Sequence, residues 1–187
     1  METIEISVIR SKRKTISISV SEEAVVTVRA PYGVSNREIK EFVDRQSEWI
    51  NAHLTKMKAR QKAAERIPPL SEEEEKLARE KAREVLTDRT DYYADILNVT
   101  YGRISIRDQK TRWGSCSREG NLNYNWRLIL APAAVLDYVV VHELCHRKQM
   151  NHSSAFWREV ERVMPDYRQK EKWLKDNGWM LKAAAHR

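Results

Sequence analysis

Residues Val139, Val140, Val141, His142, Glu143, Leu144, Cys145 and His146 follow one another without interruption, and this stretch constrains the chain more than any other. Three valines ahead of a His-Glu-x-x-His pattern suit a helix that is buried. Residues four apart on an α-helix share a face, so His142 and His146 present two imidazoles to one divalent metal ion. Glu143 lies one position on, about 100° round the helix, beside such an ion rather than on it. A carboxylate there can take a proton from a water that the metal has acidified. The pattern is that of a metal-hydrolase site.

Two imidazoles and a water leave a zinc ion one ligand short. His152 is the candidate for the third, because it falls where the helix should end. Lys148, Gln149, Met150 and Asn151 lose the apolar periodicity, and Asn151 suits a left-handed C-terminal cap that would swing His152 back. The other role open to His152 is to cap the next helix. Three of the five histidines fall between positions 142 and 152, which argues against chance. One zinc ion per chain is expected, although manganese, nickel or cobalt also suits three imidazoles. Cys116 and Glu159 stand in reserve as ligands.

The remaining composition sets limits. A chain of 187 residues with 41% hydrophobic and 33% charged residues is expected to be globular, with a real core and a charged surface. No apolar run reaches the length of a membrane span, and the first residues lack a signal-peptide pattern. A cytoplasmic location and no membrane partner follow as expectations. Two cysteines, Cys116 and Cys145, make no disulfide framework, and Cys145 reads as a small buried thiol. The net charge of +7 leaves nucleic acid or a nucleotide open as a partner. Its basic clusters, at residues 10–14 and 147–182, read first as solvated faces.

Along the chain, alternation at residues 5–9, 15–20 and 25–28 predicts an N-terminal antiparallel sheet, with the basic residues 10–14 at a hairpin tip. A capping box at Ser35 and Glu38 opens a helix with Ile39, Phe42, Val43, Trp49, Ile50, Leu54 and Met57 on one stripe. His53 reads as a helix-surface or core residue. The pattern fades from Ala59 through Pro68 and Pro69, which divides the chain into residues 1–58, a linker at 59–70 and a catalytic part at 71–187.

A second capping box, Ser71 with Glu74, starts a long helix to about Leu97, with Leu77, Ala78, Val85, Leu86, Tyr92, Tyr93, Ile96 and Leu97 inward. A strand at 103–107 follows. Residues 121–126, continuing through Leu128 to Leu130, predict a second strand, whose edge could accept an extended peptide. Pro132 is placed to start the metal helix. Ser153 caps a helix bearing Phe156 and Trp157, and a last helix from Arg168 ends at Gly178. The fold class expected is α+β: a minimal zincin-like domain with its His-Glu-x-x-His helix, preceded by a sheet and a helix.

Three motifs together carry a family resemblance: Arg112-Trp113-Gly114-Ser115-Cys116, His142 to His146, and Asn151-His152-Ser153 with Phe156-Trp157. The chain resembles the YgjP-like metallopeptidase family, related to the SprT and WLM zinc proteases, over nearly its whole length. The resemblance implies His142, His146 and His152 as zinc ligands, Glu143 as general base and a polypeptide as substrate. The histidine spacing matches that of metzincins, but Gln149 stands where those have glycine and Met164 makes no Met-turn, so a minimal zincin fits better. For the oxyanion or substrate the candidates are Tyr124 and Arg112, both in polar stretches upstream. Trp113 reads as a core aromatic beside the site. Two alternatives accompany this reading. One is a nucleoside triphosphate phosphoanhydride hydrolase using the same site, and the other a DNA-associated module with a structural metal, for which Cys116 would supply a fourth ligand.

Overall fold

The computed structural model describes residues 6–184. The chain divides into two compact units, residues 1–66 and 67–187. Together they make a mixed α+β architecture of two small sheets and six α-helices among the described residues. No helix among these residues is long and apolar enough to cross a membrane.

In the first unit, β1 (Ile6–Ser11), β2 (Ser17–Val20) and β3 (Val26–Pro31) form a sheet in the order β1-β3-β2. β1 is parallel to β3 and β2 antiparallel, so the sheet is mixed rather than antiparallel. β3 takes the centre because its Val26, Val28 and Ala30 are fully buried, whereas β1 exposes Val8 and Ile9. Residue 5 of the first expected strand lies outside the described residues. Since β1 and β2 are not neighbours, residues 10–14 are not a hairpin tip. Arg10 belongs to β1, and its guanidinium donates to the carbonyls of Pro31 (3.3 Å), Tyr32 (3.3 Å) and Val34 and to Asn36 Oδ1 (2.8 Å).

The capping box at Ser35 and Glu38 forms and starts α1 (Asn36–Arg45). The single helix expected beyond it is two, with α2 spanning Ser47–Ala64 and the break at Gln46 (φ −102°, ψ 9°). No apolar residue lies between Val43 and Trp49, so nothing anchors that turn to a core. Nor does the helix end where the apolar pattern fades. Lys, Arg, Gln and Ala all favour helix and carry α2 to Ala64, so the connection begins at Glu65 rather than Ala59. His53 stacks on Trp49 at 3.9 Å, its Nδ1 2.8 Å from the Trp49 carbonyl, as befits a helix-surface residue.

In the second unit, the box at Ser71 and Glu74 opens α3 (Glu72–Leu97). Its buried stripe is Ala82, Leu86, Thr90, Ala94 and Leu97, a run at spacings of four and three. Leu77, Tyr92 and Ile96, expected inside, are 59%, 53% and 42% exposed. The small residues Ala82, Thr90 and Ala94 face the core because they let neighbouring backbone approach closely. α3 closes on Asn98 in the left-handed conformation (φ 51°). Asn151 is not left-handed, since Ala24 and Asn98 are the non-glycine residues with positive φ among those described.

β4 (Ile104–Arg107), β5 (Gly114–Cys116) and β6 (Leu122–Asn125) make a sheet in the order β4-β6-β5. β6 is therefore central, parallel to β4 and antiparallel to β5, and it cannot be the free edge. The strand expected to continue through Leu130 becomes a 3-10 helix, Trp126–Leu130. The Asn125 side chain causes this turn by accepting from the Arg127 N–H (3.1 Å).

α4 (Ala133–Cys145) is the middle of the unit and is buried almost all round. Pro132 sits at its N-cap as expected. It packs against α3, β5, α5 (Ser154–Val163) and α6 (Tyr167–Ala183). Cys145 is fully buried, and burial pushes its thiol up to about 12. A bidentate pair, Arg89 to Asp137 (2.6 and 2.8 Å), with Tyr93 on the same carboxylate (3.2 Å), fastens α3 to α4. α6 runs past Gly178 instead of ending there. A Cβ at Gly178 would lie 2.7 Å from Trp113 Cζ2, so this glycine makes room for a ring and is not a cap.

Candidate metal centre

α4 holds His142 in its last turn, and His146 follows as its C-cap in helical conformation (φ −63°, ψ −18°). The helix thus ends at the second histidine, earlier than Asn151. The chain turns at once, with the N–H groups of Lys148 and Gln149 both donating to the Cys145 carbonyl (3.0 Å each). That turn returns His152 to the helix end. The ligating atoms of His142, His146 and His152 all lie within 4.8 Å of one another. His142 Nε2 and His152 Nε2 face each other at 3.0 Å, and His146 Nδ1 is held at 3.1 Å from the Gln149 carbonyl. That bond leaves Nε2 of His146 free to serve as ligand.

Burial keeps His142 and His146 toward the neutral form that a metal ligand must have. Burial, then the neighbouring His146 and His152, pushes His142 down to about 3. Burial also lowers His146, partly offset by the Gln149 carbonyl. At the His142–His152 separation one Nε2–H can donate to the other ring's Nε2, the roles being set by the tautomers, and a metal ion at this point would take the lone pairs of both nitrogens instead. Three imidazoles converging on one point are a donor set that zinc takes. The residues therefore fit the group.

Glu143 is 5% exposed, its Oε2 is buried without a partner, and burial pushes it up to about 8 against the opposing charge of Arg112. It opens on two cavities. One, of about 240 Å³, is shared with all three histidines, Cys116 and Met150. The other, of about 430 Å³, is lined by Arg112, Trp113, Tyr138, Glu171 and Leu174 among others. Gly114 of β5 borders both. A Cβ there would stand 2.6 Å from Glu143 Oε1 and 2.7 Å from its Cγ, so the glycine lets the sheet edge lie directly on the carboxylate.

Of the two upstream candidates, the structure brings Arg112 to the site and not Tyr124. Tyr124 is fully buried, its hydroxyl 3.2 Å from that of Thr90, because it points from the central strand into the core. Trp113 packs against the core and lines the larger cavity. Glu159 is paired with Lys148 (3.0 Å) and Arg162 (3.3 Å) and stands outside the histidine set. The Cys116 thiol donates to the Ser117 carbonyl (3.3 Å) and stands outside the histidine set.

Sequence reasoning missed Tyr138 and Gln149. Tyr138 lies four before His142, hence on the same face, with its ring 5.9 Å from that of His142. The spacing was available as a signal. Gln149 acts through its carbonyl, which no side-chain pattern reveals. Phe156 and Trp157 complete the surround, with Phe156 ring centroids 4.6 to 4.9 Å from the three imidazoles.

An α+β domain whose central helix ends in a histidine cluster with a buried glutamate points to metal-dependent hydrolases. The match to known families is narrower. The family described as YgjP-like, metallopeptidase domain, matches residues 14–76 and 70–177, and the chain belongs to it. Among solved structures, the chain is similar to the metallopeptidase zymogen of Pyrococcus abyssi abylysin, at 27% identity, covering 48% of this chain and 92% of that one with a TM-score of 0.44. It is also similar to the metallopeptidase zymogen of Methanocaldococcus jannaschii jannalysin, at 25% identity, 48% and 91% coverage and a TM-score of 0.42. No curated protein sequence matches it.

Proposed function

We propose that the chain is a zinc-dependent peptidase of minimal zincin type, with His142, His146 and His152 as the ligands of one zinc ion and Glu143 as general base. The convergence of three imidazoles beside a buried carboxyl carries this reading. When bound, the metal would supply Lewis acidity, acidifying a water and polarising the peptide carbonyl.

The chain's own residues do the rest. Glu143 accepts the proton of the attacking water and returns it to the leaving amine nitrogen. Its burial keeps it a strong enough base to take that proton, and the charge of Arg112 limits how far its affinity rises. The Gln149 carbonyl fixes the His146 ring. β5 is the edge strand beside Glu143, and an extended peptide adding to it would lay its backbone across the cavities. The proposed catalytic residues all fall in the second unit, leaving residues 1–66 an accessory part.

The test is digestion of an unfolded polypeptide by zinc-loaded protein beside its Glu143→Gln variant, with zinc measured in both and in His152→Ala. Cleavage by wild type alone is expected, with full zinc in Glu143→Gln and weakened zinc in His152→Ala. Equal behaviour of wild type and Glu143→Gln would refute the mechanism.

A further inference from the structure

The 430 Å³ cavity has a chemistry of its own. Trp113, Val139 and Leu174 give it apolar walls, and Arg112, Glu171 and Lys175 line it alongside Glu143. Glu171 and Lys175 sit four apart on α6, where opposite charges are neighbours. Arg112 is different: it is exposed, and its guanidinium has no hydrogen bond or ion pair to any described residue. It acts on Glu143 only through space. A guanidinium is a planar fork matched to a carboxylate, which it binds with two parallel hydrogen bonds. At a few hundred cubic ångströms the cavity has room for one or two residues of a bound peptide.

We infer that Arg112 makes this cavity a carboxylate-reading subsite for a residue flanking the scissile bond, its stem against Trp113, Val139 and Leu174 and its carboxylate on the guanidinium. The inference rests on the peptidase reading above. A carboxylate can come from an acidic side chain or from the C-terminus of the substrate.

The experiment uses the zinc-loaded Glu143→Gln protein, which binds without turnover, to capture peptides from a pooled random library, half amidated and half with a free C-terminus. The best binder is then compared with its twin lacking the carboxylate (Gln for Glu, or amide for acid). The carboxylate form should bind about tenfold more tightly, as for a hydrogen bond to a charged group, and the Glu143→Gln/Arg112→Leu protein should bind both alike. Preference among amidated peptides identifies a side chain, and preference confined to free termini identifies the chain end. In parallel, cleavage sites of the active protein should carry the same preference, lost in Arg112→Leu. No carboxylate preference, or one that survives Arg112→Leu, overturns the inference. Arg112-dependent binding with no cleavage by wild type refutes the peptidase reading and leaves the subsite standing.

Discussion

Gly114 is the sharpest point at which to probe the site. Its φ is not positive, so alanine is free to adopt the same backbone and only the added methyl matters. That methyl would stand 2.6 Å from Glu143 Oε1, 2.7 Å from Cγ and 2.9 Å from Cδ. Ordinary van der Waals contact begins near 3.4 Å, so the carboxyl group must retreat by somewhat under 1 Å. With Glu143 only 5% exposed, the retreat displaces the group itself rather than swinging a loose tip. A misplacement of about 1 Å in a catalytic group costs on the order of a hundredfold in rate. Overpacking should cost about 1–3 kcal/mol of stability, leaving the fold and the three histidines in place. Gly114→Ala should therefore keep its zinc, shift thermal unfolding by a few degrees and lose about two orders of magnitude in peptide hydrolysis. The assay is kcat/KM on one peptide beside zinc content and Tm. Full activity in Gly114→Ala would show that Glu143 either lies elsewhere or does not act.

Other substitutions test the scaffold. Gly178→Ala should destabilise by about 1–3 kcal/mol through its clash with Trp113, against the gain of about 1 kcal/mol that Gly→Ala brings in an open helix; a raised Tm would refute the packing. Arg89→Ala leaves the Asp137 carboxylate, 15% exposed, without its bidentate partner. We expect a loss of about 2 kcal/mol in chemical denaturation, below the 3–5 of a fully buried pair because Arg89 is partly open to water. Burial, the largest single influence, would raise Asp108, but the hydrogen bond and charge of Arg127 together with the hydrogen bonds of Trp126 and Arg79 outweigh it and hold the carboxyl below its ordinary value. Its folded pKa being depressed, the stability it contributes is present above the unfolded value of about 3.9 and is lost as pH falls through the folded value. Asp108→Asn should flatten the stability profile below about pH 4, and an unchanged acid limb would dismiss the contribution.

How much of this was legible in the sequence follows from which forces write themselves into local pattern. Both capping boxes were readable because a cap is made within four residues. The metal helix was readable because i,i+4 spacing is a property of the helix alone. Strand order was not: alternation at 5–9 and 15–20 marks strands but does not say that β3 lies between them. The same lack hid the central place of β6, and with it the burial of Tyr124. On α3 the counting of large apolar residues misled, since Ala82, Thr90 and Ala94 face the core while Leu77 and Tyr92 do not. Gly178 looked like a helix stop because its reason, the Trp113 ring, is 65 residues away in sequence.

The aromatic surround of the histidines has an optical consequence. Trp157 lies 5.8 Å, centroid to centroid, from both His142 and His152 and stacks on Tyr167 at 5.2 Å. An indole so close to two of the proposed ligands would report on whatever they hold. Cobalt, nickel or copper in place of zinc should quench its emission by energy or electron transfer, whereas closed-shell zinc should not. Titrating these ions would then read site occupancy from fluorescence, with Trp157→Phe showing what the other five tryptophans contribute, and metal exchange could be followed in real time without any substrate.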